Sequence, residues 1–244
     1  PYSDGAGSQI LFLSQYYYVW NEDPGFADKY TNKETTLHES ETYMRGLRKL
    51  NDLYTKGYQD ADPLSVSAEK SATDLANGDA VMTFSRTNIM ATLSKVAPDK
   101  VEGIGFFPLP DTDANVRGVA TWMPVAWCVG ANIAPEKEEC ALALMEYLTT
   151  SDAIDAYCKV TPTGAFMLNN VTLPDTISSA AKEAQEWVAK ASTSVMEYTC
   201  NIKGSNMVTI LQMAETGEYT PEQAIAEIEK DNETDAQQKG IQGW

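Results

Sequence analysis

His38 is the only histidine among the 244 residues, and it stands in the polar stretch "TTLHESE". A hydrolytic triad needs a base, and a lone imidazole at the lip of a predicted helix reads as a solvated surface residue. The chain has no G-x-S-x-G, no P-loop and no G-x-G-x-x-G. "NEDPGFAD" and "DTDAN" gather carboxylates, but neither carries the glycine and terminal glutamate of a calcium loop, so at most a loose calcium site is conceivable there. Glu138 and Glu139 fall on the outer face of a predicted helix, where carboxylates are solvated. Cys128, Cys140, Cys158 and Cys200 show neither C-x-x-C pairing nor metal-finger spacing. Cys128 in "AWCVGA" and Cys140 in "EECALALM" sit among apolar neighbours, as buried free thiols do, and a disulfide among the four stays open. These residues argue against an enzyme and call for no metal and no cofactor.

Aromatic side chains offer more. The 12 Tyr and 5 Trp outnumber the 6 Phe, so most aromatic rings carry a polar handle. Sugars present apolar C–H faces ringed by hydroxyls, and flat rings flanked by Asn, Asp, Arg and Thr can hold them. Trp122, in "VATWMP", stands before a predicted strand and suits either packing or contact with a ligand. The run "QYYYVW" suits the packed face of an amphipathic helix as well as it suits stacking.

The elements that would position such groups follow from periodicity and punctuation. "QILFLSQYYYVW" is long enough for a helix, with Ile10, Leu13, Tyr17 and Trp20 near helical spacing, and "NEDPG" stops it. Tyr43, Leu47, Leu50 and Tyr54 predict a helix from about Ser40 to Tyr58, closed by Gly57. "SAEKSATDLANG" predicts a helix that stops at Gly78. The short apolar strand "AVMTF" follows, then a polar turn and a helix near Thr87 to Val96, with Thr87 as a possible cap. "VEGIGFFPLPD" reads as a buried strand ended by Pro108 and Pro110, and "VAWCVGANI" as another strand. "APEKEECALALMEYLTTSDAIDAY" starts a helix with Pro135 in its first turn and an apolar stripe of Ala141, Leu144, Met145 and Leu148. The last third predicts helices over Thr176–Ala191, Asn206–Glu215 and Thr220–Lys230, the last opened by the capping box "TPEQ". The class is α/β with more helix than strand.

Length suits one large domain or two lobes. With 35 acidic against 18 basic residues the formal charge is -17, a surface that repels phosphate backbones and anionic lipid. No nucleic-acid partner is expected, and the acidity fits a soluble monomer working outside the cytoplasm. No run reaches the length of a membrane span. The chain opens "PYSDGAGSQ" without a methionine, as a stretch from inside a longer protein would, and this end carries no address.

"LANGDAVMTFSRTN" resembles the "F-x-x-G-x-A-A-M-x-x-x-G-x-W" segment of the extracellular solute-binding proteins that serve sugar ABC transporters, the maltose-binding-like family. In the family's order, "VEGIGFFPLPD" looks like its strand ending in "PLP", and "VAWCVGANIAPEKEECALALMEYLTTSDAIDAY" like its strand and following helix. "TPTGAF" resembles its "g-x-x-P" loop, and "TGEYTPEQAIAEIEKD" its closing helix. The resemblance implies a type II periplasmic-binding-protein fold, here mostly the C-terminal lobe, helix-rich around a short mixed sheet. Residues 1–117 and 165–244 would form that lobe, and 118–164 would cross back to an N-terminal lobe that is mostly absent.

The implied function is non-catalytic capture of a sugar or small oligosaccharide by closure of two lobes, followed by delivery to permease subunits. The implied location is periplasmic or that of a cell-surface lipoprotein. A capture protein for a peptide, polyamine or organic acid is the alternative, with a glycan-acting enzyme behind it. By the same carry-over Tyr2 would stack and Asp4 accept hydroxyls in the opening loop. Arg86, Thr87 and Asn88 would reach the cleft at the end of their strand, as ligand sites in α/β sheets do. Trp122 would stand at the cleft rim, Thr163 and Gly164 beside the hinge, and Ser205, with Asn206, before a late helix. Asn88 replaces an aromatic of the family pattern and Arg86 a small residue, a change that suits a ligand bearing a carboxylate.

Overall fold

The computed structural model describes residues 7–123, 126–168 and 171–244. Compact packing divides the chain into two units, each drawn from several stretches of sequence. One comprises Pro1–Arg86, Pro108–Thr121 and Ala191–Trp244; the other comprises Thr87–Phe107 and Trp122–Lys190.

In the first unit, α1 (Gly7–Glu22) is followed by α2 (Phe26–Thr31) and α3 (Glu41–Thr55). The expected stop after α1 holds, but its buried face differs from the predicted spacing. Leu11, Phe12, Leu13, Tyr16, Tyr18 and Val19 are buried, whereas Ile10, Tyr17 and Trp20 are half-exposed. Ser40 caps α3 by accepting from the Tyr43 N–H at 3.3 Å, and Gly57 closes it in the left-handed region at φ 68°. α4 (Ala68–Asn77) begins at a Ser67 cap and ends at Gly78, φ 81°. The Asp79 and Ala80 N–H groups both donate to the Asp74 carbonyl, so orphan helix acceptors are satisfied at that end.

α5 (Ile89–Val96), α6 (Pro135–Tyr147), α7 (Ser151–Val160) and α8 (Ser179–Ala189) lie in the second unit. The single helix expected from Pro135 onward is two, because Thr150 caps a new start by accepting from the Ala153 N–H. α9 (Met196–Thr199), α10 (Met207–Glu215) and α11 (Pro221–Gln238) return to the first unit. The capping box of α11 forms as read: the Gln223 N–H reaches Thr220 Oγ1 at 3.2 Å, and Thr220 N–H reaches Gln223 Oε1 at 2.9 Å.

Packing among α1, α3, α10 and α11 makes the core of the first unit, with Tyr16, Leu47, Leu50, Leu211, Ile225 and Ile228 fully buried. Phe12, Tyr16 and Phe26 surround the Tyr43 ring at centroid distances of 5.2, 6.3 and 5.7 Å. The aromatic run is therefore structural. Its other two tyrosines grip the excursion 108–121: Tyr17 Oη donates to the Arg117 carbonyl at 3.1 Å and Tyr18 Oη to the Leu109 carbonyl. A Cβ at Gly118 would overlap the Tyr17 ring, so the chain passes there only without a side chain. Asp111, whose side chain is 4% exposed, takes a bidentate contact from Arg45 and a 2.8 Å bond from Lys49.

Strand structure among the described residues is a single parallel pair, β1 (Ala120–Thr121) beside β2 (Thr193–Ser194). Three predicted strands do not form. Residues 80–86 run without a ladder partner, with Ala80 buried but Val81 and Met82 exposed. "VEGIGFF" opens as a 3-10 turn over Val101–Gly103 and leaves Phe107 exposed. Residues 126–134 hold no helix or strand, and Trp127 is 76% exposed. A strand gains its backbone hydrogen bonds only from a neighbour, so apolar composition alone does not produce one.

α6 carries the same lesson. Its predicted stripe is present in sequence, yet none of its residues is buried, and Leu142, Leu144 and Tyr147 stand exposed. Cys128 and Cys140, expected to be buried by their apolar neighbours, are exposed for that reason; Cys158 and Cys200 are buried, and all four thiols are free.

Candidate functional site

Loop 161–167, between α7 and α8, is the best-defined of the candidate positions. Thr163 Oγ1 donates to the Thr87 carbonyl at 3.4 Å and lies 3.2 Å from the Gly164 carbonyl. Thr87, Thr163 and Gly164 thus come together, with Asn88 next in the chain at the start of α5. Asn88, and not Thr87, occupies the capping position of that helix; it is exposed and its amide makes no capping bond. The Thr87 carbonyl is already engaged by the Met90 N–H at 3.2 Å, which fixes the turn.

Gly164 has a packing reason to be glycine. A Cβ there would overlap the carbonyl oxygen of Ala181 in α8. Ala165 then takes a left-handed backbone, φ 68°, at a cost of about 1 kcal/mol or more for a residue with a Cβ. Gln185, buried in α8, holds that conformation in place. Its Oε1 accepts from the Phe166 N–H at 2.7 Å and its Nε2 donates to the Phe166 carbonyl at 3.2 Å. In "AKEAQEWVAK" nothing distinguishes Gln185 from its solvated neighbours, so sequence reasoning misses it.

Phe166 and Tyr157 form an edge-to-face pair with centroids 6.0 Å apart, and Tyr157 is half open to solvent. This pair flanks the Thr163 turn and supplies the aromatic surface that Asn88 does not. The signal was present in "DAYCKVTPTGAF", where both rings bracket the loop. Burial pushes the Cys158 thiol up, and its S–H donates to the Thr163 carbonyl at 3.8 Å, which ties α7 to the loop.

The other candidates have surroundings of their own. Trp122 follows β1 directly and is half-exposed. Arg86 closes the 80–86 segment and belongs to the first unit, as does Ser205. Ser205 is exposed in a turn tied to α11: the Gly204 N–H donates to Asn232 Oδ1, and the Asn206 N–H and side-chain amide both donate to Asp231, all within 2.8 Å. Asn206 is thereby committed to holding the turn. Tyr2 and Asp4 lie outside the described residues.

Among the described residues no group of three or more His, Cys, Asp or Glu could hold a metal ion, and no helix is long and apolar enough to cross a membrane. One carboxylate missed by the sequence reading departs from ordinary behaviour. Glu215, last residue of α10, is 3% exposed, and burial pushes its carboxyl up to about 7. "MAETGEY" gives no sign of it, since a helix-end glutamate normally reaches water.

The chain thus combines two discontinuous units, rich in helix, with hydroxyl, amide and aromatic groups at an inter-helix loop. The family model described as bacterial extracellular solute-binding protein matches residues 3–186, and the chain belongs to that family. A solved chitin oligosaccharide binding protein has the same fold, with a TM-score of 0.67 at 17% identity over 96% of this chain. The alignment covers 58% of that protein, so the chain spans less than two thirds of its length. Among proteins with curated descriptions none matches. The fold class is thus the periplasmic-binding-protein-like α/β class that the sequence motifs pointed to.

Proposed function

We propose that this chain is part of the substrate-binding component of an ABC importer that captures a sugar or small oligosaccharide outside the membrane without altering it. Membership of the extracellular solute-binding family carries this reading. The similarity in fold to a chitin oligosaccharide binding protein supports a carbohydrate as the solute. Contacts would come from the Thr87, Asn88 and Thr163 polar groups, with Tyr157 and Phe166 offering a flat apolar surface beside them. Arg86, Trp122 and Ser205, with Tyr2 and Asp4, complete the proposed set.

Residues 118–164 are proposed to pack on a further lobe supplied by chain beyond these 244 residues. The exposed apolar side chains of α6 and of residues 126–134 support that assignment. Capture would proceed by closure of two lobes, the closed state gaining contacts that the open state lacks. Delivery to permease subunits, a monomeric state, and a periplasmic or lipid-anchored location belong to the same proposal.

Calorimetry of the complete two-lobed protein against mono-, di- and oligosaccharides, uronic acids included, tests it. A saturable heat for one sugar class, and a weak one or none for the 1–244 chain alone, is expected. Silence across the whole panel overturns sugar as the solute, and release of reducing ends by the pure protein overturns non-catalytic capture.

A further inference from the structure

The 244 residues contain one Asn-Gly pair, Asn77–Gly78, and it lies at the C-terminal end of α4. Both residues are exposed, and the space around the Gly78 Cα is open. Elsewhere the residue after each asparagine carries a side chain that shields its own backbone nitrogen; glycine does not. The Gly78 N–H is shared between the Asp74 and Leu75 carbonyls, the latter at 3.2 Å, in the terminal turn of α4. Bonds at helix ends open with a free energy near zero, so the nitrogen is released without unfolding the unit.

We propose that Asn77 is a site of spontaneous covalent modification. The Gly78 nitrogen attacks the Asn77 side-chain carbonyl carbon and forms a new C–N bond. The amide C–N bond breaks, and ammonia leaves with the proton that Gly78 gives up. Water then opens the five-membered imide at either carbonyl, leaving an aspartate or an isoaspartate at position 77. The net change is amide plus water to acid plus ammonia, with no oxidant or cofactor.

Either product acts on a defined feature. A carboxylate at 77 adds negative charge at the negative end of the α4 dipole, in line with Asp74 and Asp79. An isoaspartate also lengthens the main chain by one carbon inside the turn whose Asp79 and Ala80 N–H groups close onto the Asp74 carbonyl. Buried Ala80 is seated by that turn, so the conversion loosens residues 80–86, the stretch that ends in Arg86. The inference is independent of which solute the protein binds.

Tryptic mapping isolates the event, because cleavage after Lys70 and Arg86 gives a peptide whose only asparagine is Asn77. Cleavage after Lys203 and Lys230 gives one whose only asparagine is Asn206, which precedes a methionine. On ageing the folded protein at mildly alkaline pH, conversion of amide to acid at Asn77 is expected to exceed that at Asn206 by about tenfold or more. Asn77→Gln should abolish the mass change in the first peptide. Equal conversion in the two peptides, or conversion at Asn77 only after unfolding in urea, overturns the proposal.

Discussion

Helices in both units of this chain carry large apolar side chains, and the units treat them differently. In the first, α3 and α11 bury their apolar faces against α1 and α10, and Leu47, Leu211 and Ile225 lose all contact with water. In the second, α6 exposes Leu142, Leu144 and Tyr147, and Val160 at the end of α7 is 84% exposed. Fully burying such a side chain is worth about 1.5–3 kcal/mol, so α6 forgoes what α3 collects several times over. Its own ends still favour helix, with Pro135 in the first turn and Glu136 and Glu138 at the positive end of the dipole. The difference teaches that an apolar stripe states which face needs cover, while the cover itself lies elsewhere in sequence.

Truncation in the two stripes should separate them most. Leu47→Ala is expected to lower unfolding free energy by about 2–5 kcal/mol, and Leu144→Ala by no more than about 0.5. Urea denaturation measures both, and equal losses would erase the distinction between the units. Next is the ion cluster of the first unit. Burial raises the Asp111 carboxyl, but hydrogen bonds from Arg45 and Lys49 outweigh it and leave it below the usual carboxylate range. Its contribution is full above the unfolded value near 4 and fades as pH falls through the lower folded value. Asp111→Asn should therefore cost about 1.5–3 kcal/mol at neutral pH and flatten the acid limb of the stability profile.

A smaller effect probes a tight place in the second unit. Gly164→Ala forces the loop away from the Ala181 carbonyl and should cost about 1–3 kcal/mol, read as an earlier thermal transition. If it is silent, the loop is as loosely held as α6. Smallest is Glu215, whose sign is opposite to that of Asp111. With the folded carboxyl raised to about 7, stability is full below the unfolded value and declines as pH climbs toward 7. Glu215→Gln should gain about 1–2 kcal/mol at pH 8 and nothing at pH 4, compared by denaturant titration at each pH.

Local signals were legible and distant ones were not. The Thr220 capping box, the Ser40 start and the Gly57 and Gly78 stops involve residues within a few positions of one another, and each forms where the sequence places it. The strands expected at 80–84, in "VEGIGFF" and in "VAWCVGANI" depend on neighbours far along the chain, and among the described residues only Ala120–Thr121 and Thr193–Ser194 find one. At the candidate site, Thr163 and Thr87 meet across 76 positions, which order of motifs could suggest but spacing could not. Gln185 and Glu215 gave no signal, because burial of a polar group on a helix is decided by what packs on it.

The interleaving of the units bears on how the chain is made. α1 and α3 are synthesised before the excursion 122–190, and α10 and α11, which close their core, only after it. A ribosome adding about 5–20 residues per second therefore leaves the side of α3 that α10 and α11 cover open for about 10–40 s. This core stays open until α10 and α11 emerge, which makes nascent-chain length the natural clock for its folding.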